Sequence, residues 1–237
     1  LSEEVNINPY EHLDELIISG RKAVSEAQYV DAMLYFTNAL ELAKFSENQN
    51  YSGAILSYIS LIYSLVENTD ESLKYAIYAN NILGNCDNPR LKLWGKVCLG
   101  SALYINNEIN AAFHLLNSAV READSIGFDN QFMIYAYTYL ASIRIENGEY
   151  NEALEILYKA IKYPNTYHTH ALIESYYKLG EVLNKLGKNH QAHKYFQVAH
   201  DLAEKEPDKT FLAKIYIQKG HFFRNKGEYE YSSYFFA

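Results

Sequence analysis

Apolar residues recur along this chain at the spacing of one helix face. Ala153, Ile156, Leu157 and Ala160 follow the i, i+3, i+4, i+7 pattern within one segment. This spacing is typical of an amphipathic α-helix. Because the same pattern returns in segment after segment, it predicts an all-helical protein.

Small residues recur with a period close to 40. Members of the first series are separated by 40, 40, 41, 39 and 40 positions, and they are Gly20, Ser60, Gly100, Ala141, Gly180 and Gly220. A second small residue follows twelve positions after each member. Four positions after that residue stands Phe36 in the first repeat and Phe196 in the fifth. A long period combined with a helical pattern predicts one helix pair per repeat. Small side chains allow two antiparallel helices to approach closely.

Helix-breaking residues agree with this register. Pro is costly inside a helix, by roughly 3 kcal/mol, and the four prolines fall between repeats at Pro9, Pro89, Pro164 and Pro207. Turns within repeats carry Gly148 and Gly187, which suit the left-handed geometry that ends a helix. The second repeat departs from the pattern, and we expect a shortened turn around residues 68–70.

These observations predict two segments. We expect a linker over residues 1–12 and a repeat array over residues 13–237. The repeats start near residues 13, 53, 93, 134, 173 and 213, and the last one is truncated. Since the chain opens at Leu1 and stops within the apolar run Tyr234-Phe235-Phe236, we expect a piece of a longer protein. That run also makes a homodimer plausible, because apolar surface at an uncapped end favours pairing.

Composition narrows the function classes. With 49% hydrophobic residues, 4 Pro and 11 Gly in 237 residues, the chain is neither disordered nor turn-rich β. Its longest apolar runs are shorter than the ~18 to 20 residues that span a bilayer, so we expect no membrane segment. Two cysteines and no signal pattern indicate a cytoplasmic location. The net charge of −8 argues against direct nucleic-acid contact.

Residues with catalytic or metal-binding chemistry are sparse. His168 and His170 have metal-like spacing but fall in an inter-repeat segment, where solvated histidines are expected. His190 and His193 lie one helical turn apart without a completing ligand. No phosphate-binding loop, dinucleotide fingerprint, nucleophile elbow or zinc-protease motif is present. We therefore expect no enzyme activity, no cofactor and no metal.

Two stretches carry a family resemblance, residues 148–161 and residues 179–199. Both resemble the tetratricopeptide repeat, although the usual period of that family is 34. A period near 40 resembles the repeat domains of the RRNPP-type (Rap-, NprR- and PlcR-like) bacterial receptors for peptide pheromones. The resemblance implies a right-handed superhelical α-solenoid of about six antiparallel helix pairs, whose first helices line a concave groove.

The resemblance also implies which residues face the groove. Carrying its groove positions over to this sequence gives Tyr135, Thr138, Tyr177, Glu181, Asn184, Lys185, His221, Arg224 and Asn225. Asparagine amides match the backbone of an extended peptide, and Lys185 with Arg224 suits a carboxylate. The alternative interpretation is that these Asn and Lys residues only cap helices or are solvated.

We expect a module that binds a short linear peptide or a partner protein. The resemblance favours the ligand-sensing domain of a cytosolic bacterial quorum-sensing regulator, in which a helix-turn-helix DNA-binding domain often precedes the repeats. A static scaffold or adaptor for protein–protein interaction is the alternative. A response-regulator-binding or phosphatase-like role is a third.

Overall fold

The computed structural model describes residues 9–44, 49–128, 131–162, 168–206 and 209–225. All regular secondary structure in these ranges is helical. The eleven helices are α1 (Pro9–Ser25), α2 (Tyr29–Ala43), α3 (Asn50–Leu65), α4 (Thr69–Gly84), α5 (Pro89–Ile105), α6 (Ile109–Ser125), α7 (Met133–Glu146), α8 (Tyr150–Ala160), α9 (Thr169–Lys185), α10 (Asn189–Ala203) and α11 (Thr210–Asn225). The chain forms two compact halves, residues Leu1–Phe128 and Asp129–Ala237.

Helices joined by a short turn pack together as pairs. In the N-terminal half α1 packs on α2, α3 on α4 and α5 on α6, while α7 packs on α8 and α9 on α10 in the C-terminal half. First helices of successive pairs also touch, since α1 contacts α3, α3 contacts α5, and α9 contacts both α7 and α11. The predicted all-helical, repeated helix-pair fold is therefore confirmed. Helix α11 is the first helix of the sixth predicted repeat. The rest of that repeat, residues 226–237, lies outside the described residues.

The first helix of each repeat begins one to four residues before the predicted repeat start. Helix α1 begins at Pro9, within the segment expected to be a linker, and α5 begins at Pro89. Asn88 caps α5 by accepting a 3.0 Å hydrogen bond from the Arg90 amide. A proline suits this first helical position, where its missing N–H would have no helical partner. These two prolines therefore begin helices, while Pro164 and Pro207 lie outside the described residues.

Helix pairs interlock through a small residue opposite a large one. A Cβ atom placed on Gly20 would lie 2.8 Å from the Phe36 ring, and one on Gly180 would lie 2.6 Å from the Phe196 ring. Gly100 has the same relation to Leu116, again at 2.6 Å. Each glycine thus leaves the space that the large residue sixteen positions later fills. This contact explains why a small residue and a large residue recur together in these three repeats.

The second repeat replaces this apolar contact with a polar one. Ser60 stands at the glycine position and Ala76 at the large position. The buried Ser60 hydroxyl donates a 2.8 Å hydrogen bond to the Ser72 carbonyl and lies 3.4 Å from the Ser72 hydroxyl. Because a buried hydroxyl is costly without a partner, this bond allows serine to occupy the helix–helix contact.

Turns inside the repeats share one backbone geometry. A residue with positive φ follows the first helix in each described pair, and these residues are Ala27, Glu67, Asn107, Gly148 and Gly187. The turn of the second repeat, with Glu67 at φ 59°, is as long as the others. The expected shortening is therefore wrong, because Glu67 adopts the left-handed conformation that glycine adopts in the turns of the fourth and fifth repeats.

Replacing Gly148 with Ala is expected to lower the free energy of unfolding by roughly 1–2 kcal/mol. Gly148 has φ 77° and no heavy atom within 4 Å of a Cβ, so the cost comes from the backbone alone. Urea denaturation followed by circular dichroism measures it. Gly84→Ala is the control, since Gly84 ends α4 without a positive φ and with equal space. A similar loss in both variants would contradict the explanation.

Among the described helices, none combines the length and apolarity that crossing a bilayer requires. The apolar run Tyr234-Phe235-Phe236 lies outside the described residues. A homodimer formed through that run stays a prediction.

Candidate functional site

A polar cleft lies between α9 and α11 in the C-terminal half. Its volume is about 490 Å³, and its lining residues are Glu181, Asn184, Lys185, Gln218, His221 and Arg224. All except Gln218 are among the groove residues that the sequence predicts. Helix periodicity explains the grouping, because residues three or four positions apart share one helix face. Both helices are first helices of their repeats, and they pack against each other.

The cleft carries charges of both signs. Glu181 contributes a carboxylate, while Lys185 and Arg224 contribute cations, and these two cationic side chains are exposed. The Arg224 guanidinium donates from Nη2 to Nδ1 of His221 at 3.2 Å. Asn184 and Gln218 add amides, each of which offers both donors and an acceptor. The arrangement can therefore bind an anionic group and also hydrogen-bond a peptide backbone.

Tyr177 lies one turn before Glu181 and does not line this cleft, but it contacts the cleft residue Gln218. Its ring packs on Phe196 with centroids 6.0 Å apart, and its hydroxyl is hydrogen-bonded to Gln218. Burial, with a smaller contribution from the nearby Glu181 carboxylate, raises the pKa of Tyr177 to about 12, whereas the Gln218 bond opposes the shift. The phenol thus stays protonated at neutral pH and fixes the Gln218 side chain.

Tyr135 and Thr138 lie elsewhere, in the packing around α7. Thr138 is 1% exposed, and its hydroxyl donates to the Ile134 carbonyl at 2.7 Å and meets the Ser175 hydroxyl at 2.7 Å. The buried Tyr135 hydroxyl lies 3.3 Å from Nδ1 of His168. Thr138 therefore connects α7 to α9, and Tyr135 connects α7 to His168, the residue that precedes α9. Neither of these two predicted groove residues lines the cleft.

Asn225 is the last residue of α11, but its side chain lies outside the described part of the structure. Its expected partnership with Asn184 stays a prediction. Gln218 is the residue that the sequence analysis missed. A usable signal existed, because Gln218 lies three positions before His221 and so shares its helix face.

The histidines at the start of α9 differ from expectation. His168 and His170 are 6% and 9% exposed, although solvated histidines were expected there. The His168 ring meets Tyr135 edge-on at 5.3 Å, and the His170 ring lies 5.6 Å from Phe211. Helix α9 begins at Thr169, so His168 immediately precedes the helix and His170 lies in its first turn. Both rings pack there against aromatic side chains of other repeats.

One group of metal-type ligands comes together on α10, namely His200, Asp201 and Glu204, with ligand atoms within 4.8 Å of one another. The two imidazole nitrogens point apart, with Nδ1 3.4 Å from Asp201 and Nε2 3.8 Å from Glu204. A single ion cannot use both nitrogens. The Lys219 ammonium also interacts electrostatically with both carboxylates, so this arrangement suits an ion-pair cluster better than a metal.

The cysteines are structural. Cys86 is 8% exposed, and its thiol lies 3.4 Å from the Asn88 carbonyl. Burial raises the pKa of the Cys98 thiol to about 11. Because the thiolate is the reactive form, the raised pKa of Cys98 disfavours its reaction at neutral pH.

Residues 132–205, which include α7 to α10, match the family model described as tetratricopeptide repeat. This part of the chain is similar to tetratricopeptide repeats. The resemblance predicted from residues 148–161 and 179–199 is thereby confirmed. A comparison with curated proteins finds no match.

Solved structures share the repeat fold. The Rap conjugation gene regulator of the plasmid pLS20, in complex with the Phr* peptide, is 18% identical with a TM-score of 0.72, over 98% of this chain and 66% of that chain. A Rap protein complexed with competence and sporulation factor is 16% identical with a TM-score of 0.69, over 98% and 75%. NprR in complex with its cognate peptide NprX has the same identity and TM-score, over 98% and 67%.

These similarities establish the fold of the repeats. The predicted resemblance to the RRNPP-type receptors is thus confirmed at the level of the fold. The chain spans about two thirds of the length of the pLS20 regulator, so the activity of a whole protein of that kind is a matter for proposal.

Proposed function

We propose that the cleft between α9 and α11 binds a short linear peptide, and that the repeats are the ligand-sensing part of a cytosolic bacterial regulator. One observation carries the proposal: five residues selected from the repeat register line a single cleft together with Gln218. Three proteins of the same fold are described as peptide complexes, which supports the ligand class.

Different cleft residues would recognise different parts of the peptide. Asn184 and Gln218 offer donors and acceptors to the N–H and C=O groups of an extended backbone, which gives affinity without reading the side chains. Lys185 and Arg224 face an anionic group such as a carboxylate, and Arg can pair with it bidentately. Glu181 lies one helical turn before Lys185 and disfavours an acidic side chain at that end.

A peptide that bridges α9 and α11 acts as a signal only if it prefers one arrangement of these helices. Binding shifts a conformational equilibrium by the difference in affinity for its two states, and by nothing else. Since the two helices belong to successive repeats, their spacing is the quantity that ligand binding would change. Binding would therefore directly change how the fifth and sixth repeats stack on each other.

The test is isothermal titration of the protein with a pool of short linear peptides. We expect saturable binding, and Lys185→Ala combined with Arg224→Ala should weaken it about 30-fold, which corresponds to ~2 kcal/mol. Asn184→Ala and Asn225→Ala test the backbone contacts in the same way. Circular dichroism checks that each variant is folded.

Lys194→Ala combined with Lys205→Ala is the matched control. These residues are exposed, on and just after α10, and the double substitution removes the same charge. Equal weakening in the control would mean that net charge, rather than the cleft, governs binding. No binding by any peptide would overturn the proposal and favour the static scaffold.

A further inference from the structure

The ring of Tyr177 is held by core contacts beside the cleft. It packs on Phe196 of α10 with centroids 6.0 Å apart. It also packs against two clusters of buried residues, one that includes Leu183 of α9 and one that includes Ile215 of α11. Since contacts in a packed core restrict the rotamer of a side chain, the Tyr177 hydroxyl has a fixed position.

The Tyr177 hydroxyl is hydrogen-bonded to the side chain of Gln218, a residue that lines the cleft. This bond opposes the rise in the pKa of Tyr177, so it favours the phenolate over the phenol. A hydrogen bond favours a charged acceptor when it is donated to that acceptor. The donor is therefore the amide nitrogen Nε2 of Gln218, and the acceptor is the phenol oxygen.

The direction of this bond determines what Gln218 offers to a ligand. A primary amide carries its donor hydrogens on nitrogen and its acceptor lone pairs on oxygen. When Nε2 is bonded to the phenol, the acceptor Oε1 lies on the opposite side of the amide carbon. The partner for such an acceptor in an extended peptide is a backbone N–H group.

We propose that Tyr177 is a positioning residue for peptide recognition, because its bond to Nε2 holds Gln218 so that Oε1 accepts the backbone N–H of one residue of the bound peptide. The inference rests on the proposed function and specifies how that cleft reads its ligand. Proline lacks a backbone N–H, and so does an N-methylated residue. The cleft therefore discriminates against both at the position that faces Gln218.

The positioning is tested first without a ligand. Tyr177→Phe keeps the ring and removes only the hydroxyl. In nitrogen-edited NMR spectra we expect the side-chain amide protons of Gln218 to shift and to exchange with water about threefold faster or more, because a donor without its acceptor loses protection. Tyr176→Phe is the matched control, since Tyr176 is half-buried on the same helix and stacks on Tyr195.

Acetyl-tetraalanine with a free carboxylate is the ligand probe, because it offers only backbone groups and one anion. We expect Tyr177→Phe to weaken its binding roughly fivefold, since an unrestrained Gln218 must be immobilised on binding. Tyr177→Phe combined with Gln218→Ala should bind no more weakly than Gln218→Ala alone, because Tyr177 acts only through Gln218. Urea denaturation checks that each variant is folded.

N-methylation of each alanine in turn locates the backbone contact. We expect one methylated position to weaken binding to the wild-type protein about tenfold, and the same position to have little effect in Gln218→Ala. A merely structural role of Tyr177 would not produce this dependence on the ligand. Additive effects of the two substitutions, or no methylated position whose effect depends on Gln218, would overturn the proposal.

The two proposals fail separately. Unchanged amide exchange of Gln218 in Tyr177→Phe overturns the positioning role even where peptides bind. Peptides of the pool that bind while acetyl-tetraalanine does not would leave the proposed function standing and overturn the backbone contact. No binding by any peptide overturns the proposed function, and the reading of a peptide by Gln218 falls with it.

Discussion

Replacing Phe196 with Ala lowers the free energy of unfolding by roughly 3–5 kcal/mol, the range for truncating a buried aromatic side chain. The ring is 1% exposed, lies directly over Gly180 and packs on Tyr177. Removing it leaves a cavity that a glycine on the facing helix cannot fill. Urea denaturation followed by circular dichroism gives the value.

Val198→Ala on the same helix is the control for this prediction. Val198 is 38% exposed, so its truncation is expected to change the unfolding free energy by less than about 1 kcal/mol. A similar loss in both variants would show that α10 is sensitive to any substitution. The large effect of Phe196 depends on its position sixteen residues after the glycine.

The repeated fold was predictable because the contacts between paired helices depend on individual residues that can be recognised in the sequence. Each interlocking contact needs a small residue on one helix and a larger one on the next, as in the contact of Gly20 with Phe36. The two residues stand sixteen positions apart in the sequence, and this spacing recurs from repeat to repeat. The helix starts were less accurate. Asn88 and Pro89 form a start signal for α5, whereas the repeat register alone predicts a start near residue 93.

The candidate site was predictable where the repeat register is regular. Asn184 and His221 occupy equivalent faces of α9 and α11, and both line the cleft. The register does not bring Thr138 to this cleft, because its side chain is buried and its hydroxyl lies 2.7 Å from that of Ser175 on α9. Sequence position gives the helix face, whereas the distance to the next helix depends on side chains in that neighbour.

Burial of the histidines before α9 could not be read from the sequence either. His168 and His170 follow a polar segment, which indicates a solvated loop. Their burial depends on Tyr135 and Phe211, which belong to other repeats. Contacts between residues so distant in sequence follow from the stacking of the repeats, and a single repeat does not contain that information.

Replacing Gly180 with Ala should lower the free energy of unfolding by roughly 1–3 kcal/mol, as overpacking does in a dense core. The added Cβ would lie 2.6 Å from the Phe196 ring, and that ring is buried, so it cannot swing into solvent. Helix propensity alone predicts the opposite sign, because Ala stabilises a helix by ~1 kcal/mol relative to Gly.

The same substitution should change sign when Phe196 is already Ala. Without the ring, the three atoms nearest to the Cβ at position 180 are gone. The helix propensity of Ala then dominates, so Gly180→Ala is expected to become stabilising by up to ~1 kcal/mol. A double-mutant cycle in urea measures this coupling. Additive effects would contradict the interlocking explanation, since they would mean that glycine at 180 is required for a reason other than the Phe196 ring.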